Sequence, residues 1–303
     1  MNSIRVQHID KSYGNVSAVR DVSLDIQSGE LYGLIGPDGA GKTTLFRILT
    51  TLLLADRGEA SVCGLDVRKD WREIRQVVGY MPGRFSLYQD LSVEENLEFF
   101  ATVFKTTVKE NYDLIHDIYV QIEPFAKRRA GKLSGGMKQK LALCCALIHR
   151  PRVLFLDEPT TGVDPVSRKE FWDILGRIKE QGITIMVSTP YMDEASRCDR
   201  ITLMRAGECL RTDTPDNIRA AFPHKLWAAS APDMYSLLKD IRAYEGTYSC
   251  HAFGDKHHLI FGDTGNADSL RSFLTEKGYT DIDLKPMEPT IEDCFMDFEK
   301  EGR

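Results

Sequence analysis

The sequence predicts an α/β chain: a parallel-sheet core with an antiparallel β subdomain and a helical subdomain, followed by a small C-terminal α+β domain. Three observations predict it. Residues 31–35, 153–156 and 183–187 are short apolar runs of the kind that form strands buried on both faces. Helical spacing lies between them, and strand–helix alternation implies parallel pairing with right-handed crossovers. After Pro215 the texture shifts to short strands and helices that repeat none of this pattern. A length of 303 residues accommodates one large domain and one small one.

Taken in order, Ile4 and Val6, then Val22, Leu24 and Ile26, alternate with polar residues, which predicts antiparallel strands. The run 31–35 is a strand entering a glycine-rich loop, and 43–54 has helical spacing. From Glu94, residues Leu97, Phe100, Ala101 and Phe104 fall on one helix face, and residues about 85–150 read as a compact helical insert. Met137, Leu141, Cys144, Cys145 and Ile148 make another helix, ended near Pro151. Phe171, Ile174, Leu175 and Ile178 form the helix joining 153–156 to 183–187. Residues 201–204 and 208–210 form a hairpin around Ala206-Gly207. Then come strand 226–229, helix 234–241, a hairpin around Gly254-Asp255, a helix through Leu270, Phe273 and Leu274, strand 282–284 and helix 291–298: βαββαβα. The boundary is expected between 216 and 224, giving domains 1–218 and 219–303.

A net charge of −6 implies no basic face for nucleic acid. No apolar run is long enough to cross a bilayer, and the opening residues lack the apolar segment of a secretory signal. A soluble chain is expected, with any membrane role arising through a partner. The seven cysteines include no CxxC pair, so reduced core thiols are expected. His257-His258 has no ligand companion at metal spacing and is expected at the surface.

The chemistry is concentrated in three motifs. Gly36, Pro37, Asp38, Gly39, Ala40, Gly41, Lys42 and Thr43 match GxxxxGK[ST], with Thr44 following. Such glycines let successive N–H groups turn inward around an anion, and the helix start adds partial positive charge. Lys42 is placed to reach the β- and γ-phosphates of ATP, and the Thr43 hydroxyl to ligate Mg²⁺. Asp157 closes the apolar run 153–156 and would hold Mg²⁺ through water; Glu158 beside it would act as general base. Ser134, Gly135 and Gly136 stand in LSGGMKQ before a helix, where a hydroxyl and free N–H groups make a second phosphate site.

These motifs in this order resemble an ATP-binding cassette (ABC) ATPase of the P-loop NTPase class, over residues 2–215. The resemblance implies that Ser134, Gly135 and Gly136 close over the ATP of a second cassette, two nucleotides being sandwiched head to tail. It implies that Tyr13 stacks on adenine, that Thr161-Gly162-Val163-Asp164-Pro165 is a loop touching the opposite site, and that residues 85–88 receive a segment of a transmembrane permease. LSGGMKQKLALCCAL, TTGVDPVSRKEFW, YMDEASRCDRI and the tail PTIEDCF are similar to the ATP-binding subunits of ABC-2-type exporters. That branch implies a cytoplasmic subunit, peripheral on the inner face of the cell membrane, coupling ATP to export of drugs, antibiotics or other lipophilic compounds.

Two positions depart from the family. Gly83 stands where a glutamine reaches Mg²⁺ and the lytic water, and Pro190 where a histidine contacts the γ-phosphate. Glycine has no side chain and proline has no donor. Gln89 lies out of register. ATP and Mg²⁺ binding are expected to persist while hydrolysis at this chain's own site is slow, which favours a heterodimer with a competent partner cassette. The alternatives are a regulatory ATP-dependent clamp that never turns over, and a non-transport ABC protein.

Overall fold

Alternating apolar and polar residues build a long hairpin from β1 (Asn2–Tyr13) and β2 (Val16–Gln27), burying Ile4, Val6, Val22 and Ile26 against one core. The strand β3 (Leu31–Ile35) is buried throughout and leads into α1 (Lys42–Leu49). The computed structural model describes residues 2–301, and side chains through 298. It divides into two compact units, with the division between Asp216 and Asn217.

The helix expected over 43–54 stops at Leu49. Thr51 takes a left-handed φ of 62°, and the N–H groups of Leu52 and Thr51 bond back to the carbonyls of Arg47 and Ile48. That is a Schellman stop, with threonine in the usual glycine position. It leaves Leu52 and Leu54 exposed, so apolar spacing overstated the helix.

Strands β4 (Arg57–Val62) and β5 (Leu65–Asp66) complete an antiparallel sheet of order β2-β1-β4-β5. Helix α2 (Trp71–Val77) and strand β6 (Val78–Met81) follow. The helical insert contains α3 (Val93–Val103), α4 (Tyr112–Tyr119) and α5 (Gly135–Leu147). A capping box starts α3: the Glu95 N–H donates to Ser92 Oγ and the Ser92 N–H to Glu95 Oε2. Then come β7 (Val153–Asp157), α6 (Pro165–Glu180), β8 (Thr184–Thr189), β9 (Arg200–Arg205) and β10 (Glu208–Asp213). The main sheet has order β10-β9-β3-β8-β7-β6, parallel except for the β9–β10 hairpin. The carboxyl ends of β3, β8 and β7 therefore lie side by side, where open α/β sheets place their ligand sites.

The division falls inside α7 (Pro215–Ala220). The second unit contains β11 (Leu226–Ser230), α8 (Met234–Ala243), β12 (Thr247–Phe253), β13 (Lys256–Phe261), α9 (Ala267–Glu276), β14 (Asp283–Met287) and α10 (Ile291–Glu301). Its antiparallel sheet has order β12-β13-β11-β14, the arrangement of a split βαβ unit. Leu237, Ile241, Leu259, Leu270 and Leu274 form its core.

His257 and His258 are buried, which corrects the surface expectation. They lie on β13, an inner strand covered on both faces. The His257 Nε2 is 2.7 Å from the Met234 carbonyl, while His258 Nδ1 is 2.8 Å from Asp293 Oδ1 and its ring stacks on Phe253. Both partners come from distant helices, so local alternation could not reveal them. The cysteines are free thiols; Cys63 and Cys209 are half-exposed and the other five are buried.

Candidate functional site: a phosphate cradle at the strand ends

The loop leaving β3 is shaped by three glycines, two of them too closely packed for any side chain and the third in a left-handed conformation. A Cβ on Gly36 would collide with the Met204 carbonyl, and one on Gly41, at φ 104°, with the Ala18 carbonyl. Gly39 holds φ 79°. Gly41 caps α1, whose first turn carries no acidic residue, so no carboxylate of the helix itself offsets its N-terminal positive end. Ala18, Gly39, Lys42, Thr43, Thr44 and Glu158 line a cavity of about 210 Å³ over this helix start.

Lys42 is 3% exposed. Its Nζ donates to the carbonyls of Gly36 (2.8 Å) and Pro37 (3.0 Å) and lies 3.3 Å from Glu158 Oε1. The Thr43 hydroxyl donates to Asp157 Oδ1 at 3.1 Å, and Ser188 Oγ donates to the same oxygen at 2.6 Å. Strand register explains the convergence, since Asp157 is opposite Ser188 and Ile35 opposite Thr189. Glu158 stands just past the strand with a left-handed φ of 51°, its N–H bonded to the Ser188 carbonyl and hydroxyl. Burial first, and then the Asp157 carboxylate, push the Tyr80 phenol up to about 12.

This set fits a nucleoside triphosphate with its magnesium. A glycine cradle at a bare helix N-terminus suits phosphate, and the adjoining Thr43 hydroxyl and Asp157 carboxylate are hard oxygen donors suited to Mg²⁺.

The LSGGMKQ signature, residues 133–139, stands apart, and none of its residues lines the cavity. Ser134 caps α5, its Oγ accepting weakly from the Met137 N–H at 3.4 Å, and both Ser134 and Gly135 are exposed. Gly136 packs against Ser167 closely enough that a Cβ would come within 3.1 Å of its hydroxyl.

Residues 19–161 match the family model described as ABC transporter. Nod factor export ATP-binding protein I of Burkholderia lata is 34% identical over 302 residues, covering 97% of this chain and 95% of that one. The chain belongs to the ATP-binding cassette family of ABC transporters. The probable multidrug ABC transporter ATP-binding protein YbhF of Escherichia coli is 41% identical over 72% of this chain, but the match spans only 38% of YbhF. Daunorubicin resistance ATP-binding protein DrrA2 of Streptomyces coeruleorubidus is 38% identical, covering 72% of this chain and 68% of its own length. Among solved structures, cbiO1 of Clostridium perfringens superposes with TM-score 0.65 at 26% identity, over 73% of this chain and 91% of its own. A dimeric cassette solved with ADP and Pi gives TM-score 0.63 at 26% identity, over 70% and 98%.

Within this cassette, Gly83 lies against the end of β7: a Cβ there would sit 3.0 Å from the Asp157 carbonyl. Pro190 follows Thr189, whose carbonyl accepts from the Gly36 N–H at 3.2 Å. Gln89 is elsewhere, packed on Gly131 ahead of the signature. Tyr13 is 46% exposed at the end of β1 with the Lys11 ammonium 6.0 Å from its ring centre, and it does not line the cavity. Asp164 caps α6 by accepting from the Val166 and Ser167 N–H groups.

Between the cassette's sheet and its helical insert lies an apolar groove of about 420 Å³, lined by Met81, Phe85, Leu87, Phe100 and Phe104 among others. Tyr88 is 52% exposed beside it, edge-to-face with Phe99 at 4.8 Å. Among the described residues no helix is long and apolar enough to cross a membrane.

Sequence reasoning passed over Ser188, Thr189, Thr160 and Glu194, which tie the ends of β7 and β8 together. Serines, threonines and acids at loop starts are common enough that only their convergence marks them.

Proposed function

We propose that this cassette is the ATP-binding subunit of an ABC-2-type exporter, coupling Mg-ATP binding and hydrolysis to transport by a separate membrane permease. The cradle carries the reading. Gly36, Pro37, Asp38, Gly39, Ala40, Gly41 and Thr44 would surround the phosphates, and Lys42 would exchange its carbonyl partners for phosphate oxygens. Thr43 and Asp157 would hold Mg²⁺, which supplies charge neutralisation on the phosphates. Glu158 would orient water and take its proton. Tyr13 would stack on the adenine.

The exposed Ser134 and Gly135 at the start of α5 suit a role toward a second cassette rather than this chain's own cavity. Gly83 and Pro190 leave this chain's own site without two positioning groups, so turnover there is slow and a non-identical, competent partner cassette is favoured. The apolar groove beside Phe85 and Tyr88 suits a helical segment of the permease. Names of the relatives, for multidrug, Nod factor and daunorubicin handling, support a lipophilic export cargo.

The deciding experiment measures Mg-ATP affinity and hydrolysis together in the unaltered chain and in Gly83→Gln, Pro190→His and the double variant. Tight binding with negligible turnover, raised by the substitutions, supports the reading. Brisk turnover in the unaltered chain overturns the weak-site proposal, and turnover that no substitution restores favours a non-hydrolysing clamp.

A further inference from the structure

Glu158 is held in a backbone conformation that non-glycine residues avoid, at φ 51°. Such a conformation persists only where neighbours over-determine it. On its N-terminal side Ser188 supplies the restraint, accepting the Glu158 N–H at its carbonyl (3.0 Å) and its hydroxyl (3.1 Å). On its C-terminal side the chain turns through Pro159, with the Thr161 N–H donating to the Glu158 carbonyl at 3.2 Å, and the next side-chain anchor is Thr160. The Thr160 hydroxyl donates to Glu194 Oε1 at 2.8 Å. The other oxygen of the same carboxylate accepts from the Thr189 hydroxyl at 2.5 Å, one residue beyond Ser188.

We propose that Glu194 is a positioning residue for the general base. Its carboxylate closes a buried ring, Ser188–Glu158–Thr160–Glu194–Thr189, that fixes the Glu158 backbone from both sides. The ring is well sealed: Glu194 is 3% exposed, Thr160 1% and Thr189 0%. Arg168 neutralises it from α6, with Nε 3.7 Å from Glu194 Oε1 and a terminal nitrogen 3.1 Å from Asp193. Its guanidinium also lies over the Tyr191 ring at 4.9 Å, so the segment after Pro190 is held to the start of α6. A buried carboxylate with both oxygens engaged is a rigid staple, and a half-satisfied one is costly. Pro190 can offer no side-chain bond to Glu158; the staple restrains the base through its main chain instead.

The inference rests on reading Glu158 as the base. Its test uses the full chain with Glu194→Ala, Glu194→Gln and Thr160→Val, each alone and combined with Glu158→Gln. Three quantities are measured: affinity for a fluorescent ATP analogue, single-turnover hydrolysis, and amide hydrogen exchange over residues 158–161. Glu194→Ala and Thr160→Val are expected to slow hydrolysis roughly 10- to 100-fold, the usual cost of small misplacement. Analogue affinity stays within about twofold, because the cradle is untouched, and exchange over 158–161 rises. Glu194→Gln, which keeps the shape and one acceptor, falls between. In the Glu158→Gln background the same changes cost nothing further, since a positioning group has no effect once the positioned base is gone. Unchanged exchange over 158–161 would overturn the proposal, as would an equal loss of rate in the Glu158→Gln background. A chain without any turnover defeats the ATPase reading alone, and the exchange measurement still decides this one.

Discussion

The Lys42 ammonium and the Glu158 carboxylate approach to 3.3 Å at the mouth of the phosphate cradle, one from the start of α1 and the other from the end of β7. They carry opposite charges into a site meant for a polyanion, and their substitutions therefore act in opposite directions. Lys42→Met removes a charge-assisted donor, worth about 1.5–3 kcal/mol, and should weaken Mg-ATP binding roughly 10- to 150-fold. Glu158→Gln removes a negative charge beside the phosphates. It should leave affinity equal or tighter while slowing hydrolysis by roughly 100-fold or more. Titration of a fluorescent nucleotide alongside single-turnover hydrolysis checks both, and a parallel fall in affinity for both variants contradicts the assignment.

The two departures from the family pattern should not be equally easy to reverse. A Cβ at Gly83 would press on the Asp157 carbonyl at 3.0 Å, so Gly83→Gln requires the end of β7, with the carboxylate proposed for Mg²⁺, to give by a few tenths of an ångström. Pro190 follows the last residue of β8 and is half-buried, and it already carries a Cβ, so Pro190→His adds no new branch at the main chain. Pro190→His alone should raise hydrolysis by at least about tenfold, within the roughly 100- to 1000-fold a transition-state donor commands. Gly83→Gln alone should gain less, or raise the Mg²⁺ concentration required. Steady-state rates across a Mg²⁺ series separate the two effects.

The cradle was legible because its requirements are local: glycines, a lysine and a helix start are contiguous from Gly36 to Thr43, and strand 31–35 announces where the loop begins. The order of elements in the second unit was readable for the same reason. What escaped was set by register. Ser188 faces Asp157 only because β7 and β8 pair in parallel at that offset, and Glu194 meets Thr160 across two loops. The two histidines on β13 show the complementary failure. Alternation marks which side a residue faces, but an inner strand covered on both sides, as β13 is, has no solvent face for a polar residue to occupy.

Thiol chemistry gives a separate check on the core. Burial pushes the thiols of Cys144, Cys145 and Cys198 far up, takes Cys250 and Cys294 to about 12, and takes Cys209 to about 11. Cys63 is also raised by burial, though less sealed and eased downward by Arg152. Since the thiolate is the reactive form, alkylation of the native chain near neutral pH should be slow and should begin at Cys63. Peptide mapping after timed alkylation reads this directly. Rapid labelling of Cys144 or Cys145 would mean that α5 is not packed as described.

The last prediction concerns acid. Burial alone would raise the Asp293 carboxyl, but hydrogen bonds from His258 and from the Thr290 hydroxyl and N–H outweigh it, so the carboxyl lies below its ordinary range. An unfolded aspartate titrates at about 4. Below that value the unfolded chain takes up the proton before the folded one, so the stability from Asp293 is fully present above about pH 4 and is lost as pH falls through the folded pKa. Asp293→Asn should therefore cost about 1.5–3 kcal/mol at pH 6, the worth of hydrogen bonds to a charged group. The deficit relative to the unaltered chain should shrink steadily below about pH 4. Amide exchange along β13 in the full chain, compared at pH 6 and in stepwise acid, measures that difference where His258 resides. A deficit independent of pH would show that Asp293 acts by shape rather than by charge.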